Sequence, residues 1–437
     1  MQRFLLATIA SIVLQPAYAI TTRLSETTLG GESDSASFSV KLSDNGRFAV
    51  FQTNATNLIT ADSNGVSDVV LKDLQTGVLT CMSCAAGGIV GDGASTSPTI
   101  SGDGRFVAFQ SAATNLVAGD SNVATDVFVR EIATGALEIA SRATGVAGAP
   151  GLATSGQARL SSTGQFVVFS SIAANLVSGD TNAQADVFVR DRLNSGTTRV
   201  SVATGGGQAS GGFGGATAST ISADGRFVVF TSGQQTLSVG DTNNLADAFM
   251  HDRQTTTTER LSTTAGTTGS CLDPTISADA SMVAFSSTFA DLVTGDTNAA
   301  RDTFYRARTS AVLTRITAAG AVEANGPLEV PSLNGNGTKI AFQSAASNLI
   351  AVDTNASNDI FNLNIGTGVI SRISVSTAGL EATGSSTFPW YASNSDIVAF
   401  SSGASNLIAN DANASVDTFA NRLSSVDPDV ILQNGFE

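Results

Sequence analysis

"NLVSGDTNAQADVFVRD" spans residues 175–191, and close copies of it stand at 115–131 and 348–364. Aligned on Asp-x-Asn-x-x-x-Asp, the chain holds seven copies, opening at Asp62, Asp120, Asp180, Asp241, Asp296, Asp353 and Asp411, with spacings of 55 to 61 residues. A Phe stands eleven residues before each opening Asp (Phe51, Phe109, Phe169, Phe230, Phe285, Phe342, Phe400). A second Asp follows six residues after it (Asp68, Asp126, Asp186, Asp247, Asp302, Asp359, Asp417). The interval between Phe and Asp never changes, so all length variation falls between one copy and the next. A fixed core with a variable remainder marks structural repeats, and the 437 residues are read as one repeat domain rather than two or three unrelated ones.

Within one copy, turn residues mark four strands. "SPTIS" (97–101) ends at Gly102-Asp103-Gly104; "RFVAFQS" (105–111), "DVFVR" (126–130) and "ALEIASR" (136–142) follow. Apolar residues run consecutively through the second and third strands, as in strands covered on both faces. Four antiparallel strands per unit, repeated seven times, predict an all-β, seven-bladed β-propeller over residues 20–423. "TTRLS" (21–25) matches the fourth strand "TTRVS" (197–201), while the last copy stops after its third strand, "DTFANRL" (417–423). The N-terminal segment is therefore expected to complete the last blade as its outer strand, closing an edge that would otherwise invite aggregation.

"SADGRFVVFTS" (222–232) followed by "DAFMHD" (247–252) resembles the TolB-like, WD-type β-propeller repeat, a Ser-Pro-Asp-Gly-Lys/Arg turn, an apolar strand and an Asp-Ile-Tyr/Phe strand. The resemblance covers residues 21–423 and implies the propeller fold. It departs from the family in lacking the turn Pro in every copy and in its long second-to-third-strand loop, "ATNLVAGDSNVAT".

The chain carries 37 Asp+Glu against 22 Lys+Arg, a formal charge of −15, which repels a nucleic-acid backbone and favours cations. Only Lys41, Lys72 and Lys339 are lysines. Residues 1–19, "MQRFLLATIASIVLQPAYA", have the layout of a cleaved secretory signal; its apolar run is too short to span a bilayer, and no later stretch is long and apolar enough to do so. The expected product is an exported monomer, periplasmic or extracellular. Cys81 and Cys84 can close a small disulfide loop, leaving Cys271 unpaired.

All seven Asp-x-Asn loops should ring one face. Carboxylate at position one, amide at three (Asn64, Asn122, Asn182, Asn243, Asn298, Asn355, Asn413) and carboxylate at seven make these loops candidate Ca²⁺ sites, resembling the Asp-rich loops of integrin-type propellers. Position five, usually a further ligand, is Val66, Ala124, Gln184, Leu245, Ala300, Ser357 or Ser415. The alternative needs no metal: Asp and Asn fold back onto nearby backbone N–H groups.

The single histidine, His251, falls at a strand position held elsewhere by Lys72, Arg130, Arg190 and Arg306, so no Ser-His or Cys-His chemistry is expected. A glycosidase needs only two carboxylates with environments set apart. Asp273, Glu323, Glu329 and Glu381 stand outside the sevenfold set, in expected fourth-to-first-strand loops, and nothing in the sequence pairs them. Trp390 and Tyr391, in "FPWYAS", are expected on an inner strand as a plug of the central channel. "GGGQASGGFGGATAS" (205–219) reads as a surface loop, and "DPDVILQNGFE" (427–437), within a tail from 424, resembles short C-terminal segments of exported bacterial proteins. The expectation is a non-catalytic binding scaffold for a protein or glycan, with a carbohydrate-active or peptide-cleaving enzyme, or a subunit of a cell-envelope complex, as alternatives.

Overall fold

A computed structural model describes residues 20–423 apart from 61, 121, 146–147, 212–214 and 264–267. The signal-like residues 1–19 and the tail 424–437 lie outside the described residues. Seven four-stranded antiparallel sheets form the ring, six of them built from consecutive strands. In the seventh, Ile20–Arg23 pairs with Asp417–Arg422, Ile20 facing Arg422 and Arg23 facing Phe419, so the first strand closes the last blade as expected. The strands differ from the sequence reading mainly at their ends: inner strands start two residues earlier (Ser95–Ile100), and outer strands are shorter (Leu137–Ile139).

The invariant Phe explains the packing. In six blades it stacks on the aromatic of the neighbouring third strand, with ring centroids 5.7–5.9 Å apart, from Phe109–Phe128 to Phe400–Phe419. In the first blade Phe51 faces Val70 instead. Each of these Phe side chains is fully buried, and offset aromatic pairs add about 0.5–1.5 kcal/mol to their area burial.

Blades are stapled to one another through the fifth residue of the third strand. Arg130 donates to the carbonyls of Met82 and Cys84 in the preceding blade, Arg190 to those of Ala143 and Gly145, and Asn421 to that of Ile373. Lys72 instead pairs with the carboxylate of Glu26, and Arg306 with that of Glu259. His251 holds this position in the fourth blade, 97% buried, its Nδ1 2.9 Å from Thr258 Oγ1, whose hydroxyl donates to the Val202 carbonyl. The lone histidine is thus a structural staple, as its repeat position implied.

The turns between first and second strands gather at the lower end of the central channel. Seven backbone hydrogen bonds of 2.9–3.1 Å join each turn to the next around the ring: Asp44 to Gly102, Asp103 to Ser162, Ser162 to Ala223, Ala223 to Ala278, Asp279 to Gly335, Gly335 to Ser393 and Asn394 to Asp44. At Gly102 the approach is close: a Cβ there would fall 2.1 Å from the Asp44 carboxylate, which would have to shift. A cavity of about 630 Å³ lies among these turns, and the Asp-x-Asn loops lie at the opposite end of the blades.

Candidate active site in the central channel

The repeated loops bond to themselves. In every blade the loop Asn accepts the backbone N–H two residues on, from Val66, Ala124, Gln184, Leu245, Ala300, Ser357 and Ser415, at 2.7–3.0 Å. Position five is variable because its backbone, not its side chain, makes the contact. The second Asp is fully buried and in six blades accepts from a Ser, as in Ser83–Asp68 (2.7 Å) and Ser374–Asp359 (2.5 Å).

In five blades the paired aspartates meet a guanidinium from the fourth strand. Arg199 lies 3.3 Å from both Asp180 and Asp186, Arg260 3.4 Å from both Asp241 and Asp247, and Arg23 within 4.0 Å of Asp411 and Asp417. Arg315 reaches Asp296, Asp302 and Glu323, and Arg372 reaches Asp353, Asp359 and Glu381. These last two acidic triads bring one oxygen per residue within 4.8 Å, close enough to hold a metal ion, and in each the arginine stands among the same carboxylates. Burial pushes Asp302 and Asp359 up to about 6 despite the arginines. The register position of the arginine is Cys81 in the first blade and Ile139 in the second, so Asp62 with Asp68 and Asp120 with Asp126 have no such partner. Burial raises all four of those carboxyls. Cys81 is bonded to Cys84, and Cys271 is buried and unpaired.

The asymmetry lies in the channel. The fifth residue of the inner strand forms a ring of one register: Lys41, Thr99, Arg159, Thr220, Thr275, Ser332 and Trp390. Four are small hydroxyl residues, leaving a well of about 360 Å³ lined by Lys41, Gln157, Arg159, Asp273 and Trp390 among others. Every inner strand breaks register in its middle, and Ser39, Ser97, Gln157, Asp273, Val330 and Phe388 take φ of 51–56° there, the left-handed region that costs a non-glycine residue free energy.

Lys41 is 91% buried, with its Nζ 4.4 Å from the Trp390 ring centroid, and forms no ion pair among the described residues. Burial, reinforced by the Arg159 charge, holds its amine well below the usual lysine range. Arg159 donates to the Ala158 carbonyl at 2.8 Å, while its buried Nε has no partner. Asp273 faces the lumen, yet the surrounding strands displace bulk water and raise its carboxyl; Arg301 and Arg159 pull the other way, and Glu329 adds to the rise. Glu329 is tied to Arg301 at 3.6 Å.

The structure thus divides the four carboxylates set apart in the sequence. Asp273 and Glu329 lie on inner strands, Cys271–Ile276 and Leu328–Leu333, rather than in loops, and Asp273 enters the well. Glu323 and Glu381 join the arginine-filled loops. Of the two aromatics expected to plug the channel, Trp390 lines the well, whereas Tyr391 is buried between blades with its hydroxyl 3.2 Å from Asn362. Lys41 and Arg159 escaped the sequence reading. Aligning the inner strands would have shown both as charges where four blades carry Thr or Ser.

No family model matches the chain, and no characterised relative does. Solved structures do. An oligogalacturonate lyase from Vibrio parahaemolyticus aligns at 14% identity over 92% of this chain and 93% of that one, with a TM-score of 0.53. An oligogalacturonate lyase in complex with manganese aligns at 13% over the same shares, with a TM-score of 0.55. An acylaminoacyl peptidase from Pyrococcus horikoshii aligns at 9% over 92% of this chain and 54% of that one, with a TM-score of 0.53. TolB from Acinetobacter baumannii is also among the matches, at 13% identity and a TM-score of 0.41. These neighbours correct the expectation of a non-catalytic scaffold: the oligogalacturonate lyases and the acylaminoacyl peptidase that share this propeller are enzymes. At such identities the likeness establishes the fold, and roles must come from the chain's own residues. The chain is a closed, seven-bladed β-propeller whose channel well brings together Lys41, Arg159, Asp273 and Trp390 from four different blades.

Proposed function

We propose that the chain is a carbohydrate-active enzyme that cleaves an acidic polysaccharide by β-elimination in the channel well, in an exported setting where the Cys81–Cys84 disulfide persists. The observation that carries this reading is Lys41: a nine-tenths-buried amine with no carboxylate partner among the described residues, beside Arg159 and against an aromatic face. Burial and the neighbouring Arg159 charge favour the neutral amine of Lys41, the form that can act as a base. A uronate carboxylate fits the Arg159 guanidinium, whose charge stabilises the negative charge that develops when the adjacent carbon loses its proton. Trp390 offers a flat apolar face to the sugar ring.

The step balances without a redox partner. The proton next to the carboxylate passes to Lys41 Nζ, its electron pair forms the carbon–carbon double bond, the glycosidic carbon–oxygen bond breaks, and the departing oxygen takes up a proton. Manganese is found in one lyase of this fold. Here the well offers one carboxylate, Asp273, beside two cationic side chains, a donor set that does not fit a divalent ion, and no step is routed through one.

The test is to incubate the protein with polygalacturonate, alginate and a neutral glucan and follow the ultraviolet absorbance of the conjugated unsaturated product. The reading predicts absorbance from a polyuronate only, lost in Lys41→Met. Release of saturated ends, or equal activity in Lys41→Met, would overturn it.

A further inference from the structure

Lys41 belongs to the first blade and Asp273 to the fifth, three blade steps apart in a ring of seven, so the two face each other across the well, with Arg159 of the third blade between them on one side. They differ in depth as well. Asp273 stands two residues nearer the Asp-x-Asn-loop end than Thr275, which shares the level of Lys41, a rise of about 6–7 Å along a strand. Of the six left-handed register-break residues around the channel, Asp273 alone is an acid.

We propose that Asp273 is the catalytic proton donor to the departing glycosidic oxygen; this rests on the elimination reading above. A uronate whose carboxylate meets Arg159 and whose neighbouring proton points to Lys41 presents its leaving oxygen to the opposite, outer side of the well, where the Asp273 carboxyl faces the lumen. As the carbon–oxygen bond breaks, the oxygen receives the proton of Asp273, and the carboxylate left behind takes another from water. Lys41 returns to neutrality by releasing its proton to solvent, so the cycle closes with no other reactant. Burial shifts the Asp273 carboxyl in the direction a proton donor needs, and Arg301 with Glu329 sets the charge behind it. Base and acid are then separate groups on opposite walls, the arrangement that suits an anti elimination.

A leaving group that departs as a stable anion needs no proton. The test therefore compares Asp273→Asn on a polyuronate and on an aryl uronate activated at the leaving oxygen, with melting curves confirming the fold. The expected result is a fall in kcat of at least about 100-fold on the polymer and a change of less than about threefold on the aryl substrate, while Lys41→Met loses both. Equal losses on the two substrates, or none on either, would overturn the assignment of Asp273. Wild-type protein that forms no unsaturated product from either substrate would overturn the elimination reading itself, and a Lys41-dependent wild-type activity that survives unchanged in Asp273→Asn would overturn only the assignment of Asp273.

Discussion

The ammonium of Lys41 lies 4.4 Å from the centre of the Trp390 ring, joining the two blades that meet at the closure seam. The contact fixes the indole beside the amine at the wall of the well, where its apolar surface can meet a sugar ring. Trp390→Leu keeps an apolar side chain and removes the π face. The account predicts a rise in KM of about tenfold on a polyuronate with a smaller change in kcat, measured by steady-state kinetics. An unchanged KM would remove Trp390 from the binding surface.

Where an arginine stands among loop carboxylates, it takes the place of a cation. Arg372→Met leaves Asp353, Asp359 and Glu381 without their guanidinium, which lies 2.7–3.3 Å from them. The variant should melt lower in EGTA than wild type and recover part of the loss in millimolar Ca²⁺, as a ligand that binds only the folded state stabilises it. A Ca²⁺ response equal to that of wild type would show that the vacated triad does not bind the ion.

His251 is predicted to make stability pH-dependent. Burial lowers its folded pKa to about 4 from an ordinary value near 6.5, so between those values the unfolded chain binds more protons than the folded one. Its contribution to stability is therefore present above about pH 6.5 and is lost as pH falls through that window, by about 3 kcal/mol in all. The raised Asp302 and Asp359 act in the opposite sense, favouring the folded state as pH falls through about 6. The comparison must be internal: the stability of wild type relative to His251→Gln, from urea unfolding, should fall between pH 7 and pH 5. A constant difference would mean that His251 does not titrate differently on folding.

Arg130 spans two blades through backbone carbonyls, donating to Met82 and Cys84 and, in its own blade, to Gly135 at 2.8 Å. Arg130→Met should destabilise the ring by about 2 kcal/mol or more, since it leaves buried carbonyls unmet, and thermal unfolding measures this. A loss below about 0.5 kcal/mol would count against these staples.

The repeat made the fold legible. The Phe–Asp interval is constant because both residues are locked into paired strands: Phe109 faces Phe128, and Ser111 faces Asp126. Seven blades and the N-terminal closure follow from counting such units. The loop arginines were harder to see, because Arg199 and Asp186 are thirteen residues apart and meet only across the outer strand pair. The well was harder still. Lys41, Arg159, Asp273 and Trp390 come from four blades spread over 350 residues, and only ring closure brings them together. Repetition hid them, since it drew the eye to the carboxylates that recur while the chemistry sits at positions where one blade differs from its neighbours.

The central claim is that the well performs elimination and not hydrolysis. The most direct measurement is mass spectrometry of the oligosaccharides released from a polyuronate in heavy-oxygen water. The account predicts unsaturated products lighter by one water and free of the label, formed by wild type and absent with Lys41→Met. Saturated products carrying one labelled oxygen would contradict it and would point to a hydrolase.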